Sequence, residues 1–435
     1  MAAPARAVTH RRILAIAGPI VLANVTVPLL GLVDTGVVGQ MGRAEPIGAV
    51  GVGAVILSAF YWLFGFLRMG MTGLAAQASG EGDSAENAAL LARGLLIGLV
   101  AGLALIALQG PLLWGGFQVS PASEEVETLA RHYVGIRIWS APAAIMLYAV
   151  TGWLIAQERT RAVLVLQLWM NGLNIGLDLL FVMQLDWGVA GVARASFLAE
   201  WTGLALGLYM CRGALMGPKG RIFEPERLRR MAVVNTDIMI RSVLLQAIFI
   251  SFLLLGARFG DVPLAANQVL LQFLEVTAFA LDGFAFSAEA LVGQAMGARD
   301  RAGLRRAAGM ASLWGAGACV VLALGFALLG PWGIDRMTTA QPVRDLARVY
   351  LPFMVAAPIL GAASWMLDGI FIGATRTRDM RNMMLVAALI YLIAVLALMP
   401  VFGNAGLWMA LLISFVARGI TLGLRYPALE ARAAR

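Results

Sequence analysis

Acidic side chains set in apolar sequence are where chemistry would begin. Asp34 lies in the first long apolar run, Ile13 to Val38, while Asn171, Asn174 and Asp178 follow one another at i, i+3 and i+7 in a later run. That spacing puts the three on one helical face, and Ser196 and Glu200, four apart in the next run, share another. An ionised carboxylate near a bilayer centre costs about 2.5 to 3.5 kcal/mol on insertion scales, so each needs a partner, a proton, a cation or water. Carboxylate, amide and hydroxyl oxygens converging from these faces suit either a shared proton or a hard monovalent cation. In the second half Glu275, Asp282 and Glu289 recur every seven residues near one face, and Asp368 stands in a later run. These acids line a cleft or pair internally. Asp237 and Arg241, at i and i+4, are expected to satisfy each other. Cys211 and Cys319 lie far apart without CxxC spacing, and His10 and His132 join no cluster with metal-ligand spacing, so neither a disulfide framework, a metal site nor a cofactor is expected.

The elements that must hold these residues follow from composition. Of 435 residues 60% are hydrophobic and 13% charged, whereas a soluble domain carries about 25% charged residues. Charge is confined to short clusters between apolar stretches of about 20 residues or more, the length that crosses a bilayer. Soluble enzymes and nucleic-acid modules are thereby excluded, and the lipid bilayer becomes the first partner. The net charge of +8 reflects Arg-rich cytoplasmic loops rather than a polyanionic partner. The first apolar run is too long for the core of a signal peptide and lacks a cleavage site, so it reads as the first transmembrane helix.

Apolar runs give twelve spans, near 13–38, 47–79, 88–116, 129–155, 161–184, 188–211, 233–257, 263–295, 306–333, 345–373, 380–402 and 404–424. Of the Lys and Arg residues 22 fall on the side shared by both termini, 6 on the other and 5 inside spans, which makes both termini cytoplasmic. Spans one and five then start inside, and Asp34 and Asp178 both fall in the outward half. The halves repeat at an offset of 217: Gln77 and Gly80 become Gln294 and Gly297, Gly152 becomes Gly369, and Arg159-Thr160-Arg161 recurs as Arg376-Thr377-Arg378. Six spans separate equivalent points, so the halves share one orientation. The expected fold is an all-α integral membrane protein with twelve transmembrane helices in two six-helix lobes, related by a pseudo-two-fold axis along the membrane normal. Residues 1–12 form a cytoplasmic N-terminal segment, 13–211 the N-lobe, 212–232 a basic cytoplasmic linker, 233–424 the C-lobe and 425–435 a cytoplasmic tail. Two lobes that rock about a central cleft provide alternating access. At the same offset the counterparts of Asp34, Asn174 and Asp178 are Ser251, Tyr391 and Val395, so the polar cluster belongs to the N-lobe alone, as a coupling site needs to exist only once.

Four segments carry a resemblance: Gly31-Leu-Val-Asp34-Thr-Gly, Gln77-Ala-Ser-Gly80 with its repeat Gln294-Ala-Met-Gly297, Asn171-Gly-Leu-Asn174-Ile-Gly-Leu-Asp178, and Asp368-Gly-Ile-Phe-Ile-Gly-Ala-Thr-Arg-Thr-Arg378. Together and in order they resemble the multidrug and toxic compound extrusion (MATE) family, in its DinF-like branch, over essentially the whole chain. The resemblance implies a secondary multidrug efflux antiporter of a bacterial-type inner membrane. Such a protein exports small amphipathic or cationic organic compounds in exchange for H+ or Na+; it is not an enzyme, and a monomer is expected. It places Asp34, Asn174, Asp178 and Ser196 on the cation or proton site, where Na+ is as admissible as H+, and Glu200 shares the face of Ser196. Other branches place the site in the C-lobe, which makes Glu275, Asp282 and Asp368 the alternative. Phe60, Tyr61, Phe64 and Met69 in span two are candidates for a pliable substrate surface. Salt bridges to Arg68, Arg137 or Arg194 are the competing fate of the N-lobe acids. Pro19 and Pro28 in span one allow a bend coupled to occupancy. A lipid-linked precursor flippase of related architecture is the alternative function, but it requires a cationic cleft, and the intramembrane groups singled out are mainly acidic.

Overall fold

The computed structural model describes residues 7–40, 43–119, 123–217 and 221–433; residues 218–220 of the basic linker and the extreme ends of the two terminal segments lie outside the described residues. Helix accounts for nearly all of it, because backbone in hydrocarbon must satisfy its own hydrogen bonds. The first half contains α1 (His10–Gly39), α2 (Ala44–Leu63), α3 (Gly65–Glu81), α4 (Ser84–Ala107), α5 (Gln109–Val119), α6 (Glu124–Arg137), α7 (Ala141–Ala156), α8 (Thr160–Asp178), α9 (Gly188–Met210) and the short α10 (Arg212–Leu215). The second contains α11 (Pro225–Gly256), α12 (Asp261–Gly297), α13 (Arg301–Met337), α14 (Gln341–Gly373), α15 (Thr377–Phe402) and α16 (Asn404–Arg432). Among the described residues eleven helical segments are long and apolar enough to cross a membrane. α9 has the length as well, but Arg194 and Glu200 lower its hydropathy; with it the spans number twelve. Spans that read as single runs break where the sequence supplies a reason: span two at Phe64-Gly65 and span three at Leu108. α1 continues through both Pro19 and Pro28.

The repeat is present in the backbone itself. Left-handed residues recur in pairs 217 apart: Gly82 with Arg299, Glu158 with Thr375, and Asp186 with Gly403. The N-caps recur too, Asp83 accepting from the Glu86 amide and Asp300 from the Gly303 amide. A Cβ on Gly152 would stand 2.4 Å from the Arg68 carbonyl oxygen, and one on its counterpart Gly369 would stand 2.6 Å from that of Ala285, itself the counterpart of Arg68.

Packing divides the described chain into two compact units, neither continuous in sequence. One comprises the chain up to Val21, Thr72–Gly82 and everything from Leu228 onward; the other comprises Leu22–Met71 and Asp83–Arg227. The start of α1 and the end of α3 therefore pack with the second half of the chain, whereas a division at 211 and 233 follows sequence alone. In that unit the two copies of the repeated motif cross: a Cβ on Gly80 would lie 2.0 Å from the Gln294 carbonyl oxygen, and one on Gly297 2.0 Å from that of Gln77. Only glycine admits so close an approach of two helices. Its core gathers Phe252, Leu270 and Trp408 around a reciprocal amide pair, Asn267 and Asn404, at 2.8 and 2.9 Å. In the other unit the basic linker is fastened to α4 and its cap: Arg93 donates to the Ile222 carbonyl at 2.8 Å and to Glu86 at 2.8 Å, Arg227 pairs with Glu86 at 2.8 Å, and Arg221 with Asp83 at 2.9 Å.

Candidate coupling site

Within the unit that holds Leu22–Met71 and Asp83–Arg227, α1 and α8 bring three of the acidic and amide side chains together. The Asn174 amide nitrogen donates to Asp34 at 3.2 Å and to Asp178 at 2.7 Å. Asp178 is fully buried and Asn174 nearly so. The Asp34 and Asp178 carboxyls also come within hydrogen-bonding reach of each other. Two carboxylates that close repel, and a proton held between them removes the repulsion and supplies the missing donor. The second oxygen of Asp178 is buried without a hydrogen-bond partner among the described residues. One turn earlier on α8, Asn171 donates to the Thr26 hydroxyl at 2.7 Å and accepts from Gln167 at 3.3 Å, extending the polar face along α1. Immediately after Asp178 the helix widens into a π-helical turn, Leu179–Gln184, a feature common at functional sites.

A second polar group lies beside the first. Glu200 on α9 pairs with Arg137 at 3.0 Å, and the guanidinium is close enough to act electrostatically on Asp34 and Asp178. Arg137 is positioned by a break in span four. Pro142 has no N–H to offer the Ile138 carbonyl, so the Ala141 N–H turns to Ile138 and the chain narrows into a 3-10 turn at Ile138–Ser140. The Arg137 carbonyl thus released accepts from Ser140 at 2.7 Å and from the Tyr61 hydroxyl at 3.3 Å. Arg137 Nε and Nη1 and Glu200 Oε2 are buried with no further hydrogen bond among the described residues. Arg194, on the same helix as Glu200, instead lies over the Trp187 ring at 4.8 Å.

The remaining residues singled out in the sequence fall elsewhere. Ser196 is buried on α9, yet no hydrogen bond joins it to Asp34, Asn174 or Asp178 among the described residues. Tyr61 is buried at the Arg137 carbonyl, Phe60 packs on the apolar cluster of Ile56 and Phe117, Phe64 contacts Phe66, and Met69 is half-buried. In the other unit Glu275 is exposed, Asp282 half-buried and Glu289 buried. Asp368 is held by Arg241, with Arg418 at 3.7 Å and that arginine donating to Ser364 at 2.9 Å. The expected Asp237–Arg241 pair is not formed. Asp237 pairs with Arg381 on α15 at 2.6 Å and accepts from Thr377 at 3.1 Å, while Arg241 turns to Asp368 on α14. Spacing of i, i+4 brings two groups to one face, but each found a closer partner on a neighbouring helix. Thr26 and the Arg137–Ser140–Pro142 break were not legible as site features. Pro142 was the available signal.

This arrangement, a helical membrane fold built twice over with ionisable groups buried in its spans, is one that transporters use. The MatE family profile matches residues 19–180 and 238–397, and the chain belongs to that family of transporters. It is 39% identical to DNA damage-inducible protein F of Escherichia coli over 93% of this chain and 89% of that protein. A probable multidrug resistance protein NorM of Deinococcus radiodurans is 28% identical over 96% and 94%. In structure it resembles a MOP superfamily transporter of Pyrococcus furiosus (TM-score 0.89, 16% identity, 98% and 97% covered) and the Vibrio cholerae MATE transporter VcmN in its bent form (TM-score 0.86, 19% identity, 98% and 97% covered). These likenesses establish the shared fold.

Proposed function

We propose that this multidrug efflux transporter expels amphipathic organic cations in exchange for protons, and that Asp34, Asn174 and Asp178 form the coupling site. The observation that carries the reading is one amide donating to two mutually close carboxyls, Asp178 fully buried and Asp34 half-buried. A proton entering from outside is shared by the pair, and its loss to the cytoplasm leaves a negative site that attracts a cationic substrate. Binding of one excludes the other, which is the requirement for exchange. One proton entering for one monovalent cation leaving moves no net charge, so the membrane potential cancels and the pH difference drives the exchange, about 1.4 kcal/mol or about one decade of concentration ratio per pH unit. The Arg137 guanidinium, itself held by Glu200, stands beside this site as a fixed positive group.

The donor set favours H+ over Na+. Asn174 turns hydrogens rather than its oxygen toward both carboxyls, and Ser196 contributes no oxygen, so an oxygen cage for Na+ would require the amide to turn over. The C-lobe alternative has less to offer: Asp368 is already neutralised by arginine, and Glu275 is exposed. Both termini face the cytoplasm in this reading, in accord with the distribution of Arg and Lys. The test is reconstitution of wild type and Asp34→Asn in liposomes, following a fluorescent organic cation under a pH gradient, with and without a Na+ gradient. Proton-driven export in the wild type, lost in the variant, is expected. Export driven by Na+ alone would overturn the choice of ion, and full activity in the variant would overturn the site.

A further inference from the structure

The N-terminal end of α13 carries a charge arrangement that transport does not use. Arg301 and Arg305 both reach Glu430 Oε1 on α16, at 2.9 and 2.6 Å, and Arg306 is exposed with no carboxylate partner among the described residues. Two guanidiniums thus share one carboxylate, and a third stands beside them unpaired by any carboxylate among the described residues. Together with Ala302 they line a recess of about 560 Å³. Below it the same helix turns an apolar face outward: Leu313 (64% exposed), Val320 and Leu324 follow Arg306 at steps of 7, 14 and 18 residues. At 1.5 Å per residue Leu313 lies about 10 Å further along the helix axis than Arg306, the scale on which an acyl chain descends from its phosphate. The basic end belongs to the side on which the chain concentrates Arg, the leaflet in which acidic lipids reside.

We propose that Arg301, Arg305 and Arg306 bind the phosphate of an anionic phospholipid whose acyl chain lies along Leu313, Val320 and Leu324. Arginine grips phosphate through paired N–H donors, and the net positive charge left after Glu430 is satisfied distinguishes an anionic headgroup from a zwitterionic one with the same chains. Arg306 is the discriminating residue, since its side chain makes no ion pair among the described residues.

The experiment uses the purified full chain in mild detergent, with lipid binding followed by native mass spectrometry and by thermal unfolding. Phosphatidylglycerol, phosphatidylcholine of identical chains and inorganic phosphate are the three probes. Phosphatidylglycerol should bind more tightly than phosphatidylcholine, Arg306→Gln should weaken it about fivefold, and Arg306→Lys should retain it within about twofold. Equal binding of the two lipids, or an unaltered Arg306→Gln, overturns the site. Stabilisation by inorganic phosphate equal to that by phosphatidylglycerol overturns the lipid as its occupant.

Discussion

Replacing Asn174 with Ala removes the one donor that Asp34 and Asp178 share, bonds of 3.2 and 2.7 Å. A hydrogen bond to a charged group contributes about 1.5 to 3 kcal/mol. Asp178 already has one buried oxygen without a hydrogen bond among the described residues, so apart from a proton shared with Asp34 it has no second donor to fall back on. Taking about 2 kcal/mol for the lost donor, the organised site becomes about 30-fold less populated relative to a splayed one. Proton-driven export of a fluorescent cation from proteoliposomes should fall by more than tenfold, with the protein still folded and monodisperse. Asn171→Ala is the matched control. It sits one turn away on the same helix, is as buried, and gives its amide to Thr26 rather than to a carboxyl, so its loss should cost no more than about threefold. Equal impairment of the two variants, or wild-type export by Asn174→Ala, would refute the role assigned to the shared amide.

Glu200→Gln leaves the Arg137 charge buried without its carboxylate, and breaking such a pair costs about 3 to 5 kcal/mol; the double change Glu200→Gln with Arg137→Gln should recover much of the lost thermal stability in detergent, and a double variant less stable than the single would contradict the pairing. Gly297→Ala places a Cβ 2.0 Å from a backbone carbonyl of the crossing helix, so the melting temperature should drop by the equivalent of about 1 to 3 kcal/mol despite the better helix propensity of Ala; an unchanged or higher melting temperature would mean that the crossing yields easily.

What the sequence determined by itself was whatever depends on local or periodic chemistry. Apolar runs of bilayer length dictate spanning helices, because a single segment in hydrocarbon satisfies its backbone hydrogen bonds within itself only as a helix, and the 217-residue offset recurs as paired left-handed residues and paired caps since the same local sequence imposes the same turn. The shared face of Asn171, Asn174 and Asp178 was legible for the same reason. Which groups meet across helices was not. Spacing put Asp237 beside Arg241, yet each pairs with another helix; it put Ser196 near Glu200, yet only Glu200 reaches Arg137. Two ends of α1 pack in different units although nothing in its composition marks a boundary between Val21 and Leu22. A side chain's partner is decided by rotation about the helix axis, depth and the approach of a neighbour, and these are fixed only when the helices pack.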